Sequence, residues 1–160
     1  KKSTATSVIL GGGVDVETHI NNIETNLSEI NTILNPQYII LGSSTTISSS
    51  SGIVPFTKLS GKGDGFTVSD GKVTIASDDI HWIRVNLSVG MSSDSNRAWA
   101  RILHNNVDYD TALSYGTYCV NKVYALIEVK KGDIIHATYA EAGRLNADGL
   151  YSRMIIEKVC

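Results

Sequence analysis

The chain is poor in the residues that announce chemistry or compartment. It has only two cysteines in 160 residues, Cys119 and Cys160. Without CxxC spacing they define neither a zinc site nor a disulfide framework, so two free thiols are expected. An excess of one charge is lacking too. There are 14 Lys and Arg against 16 Asp and Glu, a net charge of −2, and the basic residues form no stripe. A nucleic-acid partner is therefore not expected. No apolar run approaches the roughly 20 residues that cross a bilayer, and no membrane insertion is expected. The start Lys1-Lys2-Ser3 shows neither an initiator Met nor a signal peptide, as expected of a piece of a longer protein or of a processed form.

Catalytic signatures are equally scarce. The four histidines stand at 19, 81, 104 and 136, in no HxH, HExxH or Cys/His cluster. A metal site and a cofactor are therefore not expected. There is no G-x-S-x-G elbow for a serine nucleophile. Asp78-Asp79 and Asp108/Asp110 fall where turns are expected. Such acids could hold Ca²⁺ with loop carbonyls, but turn-forming acids in water are the favoured reading. The composition points to a protein that binds or builds rather than one that turns over a substrate.

What is present begins with a heptad ladder. Val16, Ile20, Ile23, Leu27, Ile30 and Leu34 are spaced 4, 3, 4, 3 and 4 residues apart. That is the a/d seam of a coiled coil. Ile20, Leu27 and Leu34 take the a positions, and Val16, Ile23 and Ile30 the d positions. Leu at a with Ile at d disfavours dimers and shifts preference to three or four strands. Asp15 is a suitable N-cap, and Glu17 suits the positive end of the helix dipole. Asn35-Pro36 ends the helix, since the residue before a proline is pushed out of the helical region. Gly11-Gly12-Gly13 breaks the chain before it. Three segments follow: a flexible 1–13, a coiled-coil stalk at 14–36 and a head at 37–160.

After Pro36 the period changes from 3.5 to two. Strands are expected at 38–41, 66–68, 72–75, 80–89, 98–103, 118–129, 134–139 and 151–159. The Gly, Ser and Thr at 42–52 read as a loop or weak edge strand, and Val54-Pro55-Phe56 as an edge or strand start. Gly61 to Gly65 reads as a hairpin turn. So do Ser69-Asp70-Gly71, His104-Asn105-Asn106 and Lys130-Lys131-Gly132-Asp133. Eight or more short strands at this spacing indicate a β-sandwich or jelly roll.

The richest stretch for recognition is the expected loop at 105–111. Asn105, Asn106, Asp108 and Tyr109, with Tyr115 beyond them, combine hydroxyl-binding polar groups with aromatic faces that stack on sugars. They are the candidate ligand-binding residues. Arg97, Trp99, Arg144 and Tyr151 could join a rim. Trp99, Tyr118 and Tyr139 read better as core or axial packing.

Three segments resemble the head domains of tumour-necrosis-factor and complement-type trimers. The first is Val73-Thr74-Ile75-Ala76-Ser77-Asp78-Asp79-Ile80-His81-Trp82-Ile83-Arg84-Val85. It is similar to that family's strand, corner and following strand, with Asp79-Ile80-His81-Trp82 where the family has Gly and Tyr. The second, Arg101-Ile102-Leu103-His104-Asn105-Asn106, resembles a strand ending in an Asn-Gly hairpin. The third, Ala125-Leu126-Ile127-Glu128-Val129-Lys130-Lys131-Gly132-Asp133-Ile134-Ile135, resembles the family's "L-x-x-GD-x-I" hairpin. Their order covers residues 38–160 and lacks any collagen repeat. The resemblance implies an all-β jelly-roll head on a short trimeric coiled-coil helix, as in phage fibre and receptor-binding tips. It implies a homotrimer on the virion, or on a bacterial cell or spore surface. The head would bind a host cell-surface glycan or protein without catalysis, or would serve as a structural decoration or trimerisation cap.

The seam makes a sharp expectation. Ile23→Asp puts a charge from every chain into one hydrophobic layer, at a cost of several kcal/mol. It is expected to loosen the oligomer far more than Asn22→Asp, one residue off the seam. Sedimentation of the two variants checks this, and equal effects would mean that the stripe packs on its own domain.

Overall fold

The protein is described by a computed structural model at residues 15–34, 36–43, 51–92, 97–115, 118–140, 144–146 and 152–159. The N-terminal segment 1–13, Tyr151 and Cys160 lie outside the described residues. The chain divides into two compact units, Lys1–Pro36 and Gln37–Cys160.

In the first unit, α1 spans Val16–Leu34. Asp15 begins it as the cap residue should. Its Oδ1 accepts a hydrogen bond from Glu17 N at 3.3 Å, and its carbonyl accepts one from His19 N at 3.1 Å. The four central seam residues Ile20, Ile23, Leu27 and Ile30 are 50–63% exposed. This stripe is thus exposed along the helix, whereas Val16 is half-buried. The side chain of Leu34 lies outside the described residues.

The second unit is a jelly roll of two antiparallel sheets. The first sheet contains β1 (Tyr38–Gly42), β3 (Thr57–Lys62), β6 (Trp82–Ser92), β9 (Tyr118–Glu128), β11 (Arg144–Asn146) and β12 (Arg153–Lys158). β6 is its spine. It pairs with β9 along its whole length, while β12 and β11 share its other edge, and β1 and β3 follow beyond β12. The second sheet contains β2 (Ser51–Ile53), β4 (Phe66–Ser69), β5 (Lys72–Ile75), β7 (Arg97–His104), β8 (Val107–Tyr115) and β10 (Ile134–Ala140). Its order is β4-β5-β10-β7-β8, with β2 lying against the end of β10.

Period-two alternation sorts the side chains. On β6 the inward residues Ile83, Val85, Leu87, Val89 and Met91 are at most 2% exposed. Ile39, Leu41, Ile127, Met154 and Ile156 extend this inner layer across the first sheet. The second sheet answers with Val73, Ile75, Ile102, Ile135 and Tyr139, and with the small Ala98, Ala100 and Ala137. Small residues on one inner face beside large ones on the other let the two layers interdigitate.

Four features depart from the sequence reading. Residues 61–65 do not close a hairpin. β3 pairs with β1 and β4 pairs with β5, so this Gly-rich segment carries the chain from one sheet to the other. Val54-Pro55-Phe56 is not a strand; Val54 and Phe56 are buried plugs, and Val54 N donates to Ala137 O at 2.9 Å. Residues 107–111 are strand β8 rather than a loop. β3 and β11 were not expected at all. β3 is exposed at every position, and β8 over its first five residues. A strand without a buried face has no alternating apolar signal to read.

His136 sits on β10 between Lys72 of β5 and Leu103 of β7, and is buried. Burial, and next the nearby Lys72 charge, hold its imidazole below the usual 6.5. The unfolded chain therefore binds a proton more readily than the folded one. The stability associated with neutral His136 is fully present above pH 6.5 and is lost as pH falls from there toward the folded value. His136→Leu is expected to flatten the stability profile between pH 7 and 5. Chemical denaturation at a series of pH values checks this, and an unchanged slope would refute it.

Candidate functional site

The turn between β7 and β8 is Asn105-Asn106, with φ of 52° and 66°. Two consecutive left-handed residues are the mark of a type I′ hairpin, and Asn tolerates that region best after Gly. The side chain of Asn105 is not offered to a ligand. Its Nδ2 donates to Asp133 Oδ1 at 2.9 Å, and its Oδ1 accepts from Ile134 N at 2.9 Å. Its backbone N donates to Ile134 O at 2.9 Å. Asn105 is therefore a clasp between the β7–β8 turn and the turn that enters β10.

Asp133 is the other half of the clasp. Its Oδ2 lies 2.8 Å from His104 Nε2 and accepts from Lys130 N at 3.1 Å. Burial pushes its carboxyl up, but the hydrogen bonds from Asn105, His104 and Lys130 outweigh this and hold it below the usual 3.8. Both carboxylate oxygens are occupied inside the fold, so the His104–Asp133 pair is architecture.

Strand β8 carries the remaining candidates. Asp108 pairs with Arg101 at 3.3 Å, and the Arg101 guanidinium lies 5.6 Å from the centre of the Trp99 ring. Tyr109 O–H donates to Leu126 O at 2.8 Å and presents its ring edge-on to His104. This bond joins the free edge of β8 to the free edge of β9, one from each sheet. Asp110 Oδ1 accepts from Thr111 N at 2.8 Å. Asn106 is exposed at the turn, and Tyr115 is 75% exposed at the far end of the strand. The structure thus spreads the five candidates along a hairpin and occupies Asn105 internally. Of the rim residues, Trp99 is half-buried on the outside of the second sheet. The side chains of Arg97 and Arg144, and Tyr151 as a whole, lie outside the described residues. Tyr139 is core, whereas Tyr118 is 80% exposed.

The surface that sequence reasoning missed is the outer face of the first sheet. Tyr118, Val120, Tyr124 and Leu126 of β9 point outward and are all exposed. Register places Asn86 and then Ile155 beside Tyr124, and Arg84 and then Glu157 beside Leu126. Ile40 continues the row from Ile155. Within this face lies a shallow pocket lined by Asn86, Leu87, Ser88, Lys122, Tyr124, Arg153 and Ile155. Four large apolar side chains exposed along one strand face is a partner-seeking surface rather than ordinary exterior. The signal was legible in β9, whose two faces are both apolar: Val123 and Ile127 inward, Tyr124 and Leu126 outward.

The paired acids 78 and 79 are spent on lysines. Asp78 bonds Lys131 Nζ at 2.7 Å, and Asp79 bonds the nearly buried Lys158 Nζ at 2.6 Å. Asp79 also accepts from Ser77 and Gln37. Its carboxyl is lowered first by Lys158 and then by Ser77. Among the described residues no group of three or more His, Cys, Asp and Glu side chains is placed to hold a metal ion.

No family model and no curated protein matches this sequence. Solved structures do match the fold. Murine APRIL at pH 8.5 superposes with a TM-score of 0.68 at 13% identity, over 78% of this chain and 99% of that one. Eiger TNF from S. frugiperda superposes with a TM-score of 0.64 at 10% identity, over 78% of this chain and 94% of that one. The head is a TNF-like jelly roll, as the three quoted segments implied.

The clasp predicts its own mutational signature. Asn105→Ala removes the clasp hydrogen bonds and puts a Cβ-bearing residue without a local polar partner at φ 52°. The cost is about 2–4 kcal/mol. Asn105→Gly keeps the backbone permissive and is expected to cost about 1 kcal/mol less. Denaturant midpoints at constant slope measure both, and equal losses would mean that φ contributes nothing.

Proposed function

We propose that this chain is a homotrimeric, non-catalytic recognition head carried on a coiled-coil stalk. The observation that carries this reading is the presence, among the described residues, of two exposed apolar surfaces in one polypeptide: the seam of α1 and the aromatic outer face of the first sheet. A 3.5-residue seam is complementary to copies of itself, and Leu at a with Ile at d favours more than two strands. Likeness to TNF-type jelly rolls supports the same assembly for the head. In this reading residues 14–36 tie three chains together, and residues 37–160 fold as the head on their own.

The setting we propose is a virion, as a phage fibre or spike tip, or a bacterial cell or spore surface. The ligand would be a host-surface glycan or protein. Asn106 and Asp108 are the polar groups of the original set nearest the hairpin end, while Tyr109 and Tyr115 belong to the edge that a neighbouring protomer would use. A second reading, a structural cap without a ligand, is favoured by the internal commitment of Asn105.

Light scattering at micromolar concentration is expected to give the mass of three chains rather than the 17.2 kDa of one. A glycan array probed with the trimer then separates the two readings. Binding that Asn106→Gly with Asp108→Asn abolishes, with β circular dichroism retained, supports recognition at the hairpin. Silence across glycans and host cells supports the cap.

A further inference from the structure

The outer face of the second sheet carries a polar and aromatic cluster that belongs to neither apolar surface invoked for assembly. On β7, Ala98, Ala100 and Ile102 are sealed inward, so Trp99, Arg101 and Leu103 face out. Register places Thr138 of β10 on one side of Arg101 and Thr111 of β8 on the other, with Leu113 beside Trp99. Two strand spacings across and one two-residue step along give this patch a footprint of about 10 by 7 Å. β7 and β10 are interior strands of their sheet, so the patch is centred away from its edges.

The centre of the patch is an open ion pair. Arg101 Nη1 lies 3.3 Å from Asp108 Oδ2, and the two side chains are 35% and 53% exposed. A pair this open contributes little to stability. Its position is nevertheless restrained, because the guanidinium also lies 5.6 Å from the centre of the Trp99 ring. Asp108 takes one donor of the guanidinium, and Arg101 Nε has no hydrogen-bond partner, so the donor capacity is not exhausted.

A guanidinium and a carboxylate side by side match a vicinal diol. One hydroxyl donates to the carboxylate while its neighbour accepts from the guanidinium. The half-buried Trp99 offers an aromatic surface to the C–H face of the same sugar ring. The paired charges also select. A ligand carboxylate would meet Asp108, and a ligand ammonium would meet Arg101. A patch of this size is far smaller than the area that a folded protein partner covers.

We propose that Trp99, Arg101 and Asp108 form a saccharide platform on the outer face of the second sheet, which takes a neutral sugar through two vicinal hydroxyls. This rests on the recognition reading above and deepens it by naming the face and the class of sugar. Thr111 and Thr138 flank the bound ring, and Asn106 at the hairpin is not required.

A glycan array of neutral and acidic saccharides, probed with the full chain, tests it. Binding is expected on neutral glycans that carry free vicinal diols, and mild periodate oxidation of those glycans, which cleaves such diols, is expected to abolish it. Titration of a bound glycan is expected to show affinity reduced about tenfold or more in Arg101→Gln and in Trp99→Leu. Asn106→Gly is expected to bind as the wild type does, and circular dichroism establishes that the β content of each variant is unchanged. Wild-type affinity in both Arg101→Gln and Trp99→Leu would overturn the platform and leave glycan recognition standing elsewhere on the head. Binding confined to acidic glycans, or binding that survives periodate, would overturn the assigned sugar class. A wild-type chain silent across the array would overturn glycan recognition itself and the platform with it.

Discussion

A two-layer sandwich buries only the inward side chains of its strands, and that constraint sorts the whole head. On β6 every second residue from Ile83 to Met91 is sealed against the opposite sheet. The intervening residues Trp82, Arg84, Asn86 and Ser88 face out. Their register partners on β9 are Glu128, Leu126, Tyr124 and Lys122, with Val120 and Tyr118 further along the same face. The four apolar ones, Tyr118, Val120, Tyr124 and Leu126, would be poor choices for an exterior that met only water. The inner layer accounts for the fold. Among the described residues the outer layer is exposed, and so it is where the proposed assembly would be sought.

The edges obey the same logic. Among the described residues β8 and β9 each pair with only one strand, and an unpaired edge invites unwanted pairing. Two devices limit that here. Tyr109 ties one edge to the other through the carbonyl of Leu126. Asp108 and Asp110 place charge on β8, where an aggregating strand would carry none. The Asn105–Asp133–His104 clasp then holds the β7–β8 turn against the turn leading into β10. The edge is thereby fixed in position before anything docks on it, which removes an ordering cost from association.

Much of this was legible in the residues. The 3.5-residue seam, the Asp15 cap and the stop at Pro36 each carry their own physical signature, and α1 follows them. β6, β7 and β10 declare themselves by alternation. The turns Asp70-Gly71 and Asn105-Asn106 declare themselves by their tolerance of positive φ, which is what they adopt. Two of the departures share one cause. β3 and the first half of β8 bury nothing, so their strand state is imposed by pairing with β1 and β7 and leaves no trace in hydrophobic order. Asn105 shows a related limit. Its backbone preference is local and readable, but its side-chain partner Asp133 is 28 residues away and is fixed only by topology. Polar composition in that stretch suggested a ligand loop, where the fold uses the Asn105 side chain for itself.

In the proposed trimer the two apolar surfaces would also divide the work of assembly in a way that composition alone would hide. A seam of six a/d layers is marginal as an isolated helix, since short helices depend on packing rather than on propensity. A single sheet face bearing four exposed apolar side chains is likewise small beside a typical stable interface. Joined in one chain, each raises the effective concentration of the other, and the second contact becomes intramolecular once the first has formed. Neither surface then needs to be strongly apolar on its own, which fits a sequence with 42% hydrophobic residues and no long apolar run. The same arithmetic applies outward. In the proposed trimer, three heads held together would tolerate weak single-site recognition, so a modest polar patch such as Asn106 and Asp108 would suffice where a deep pocket would otherwise be required.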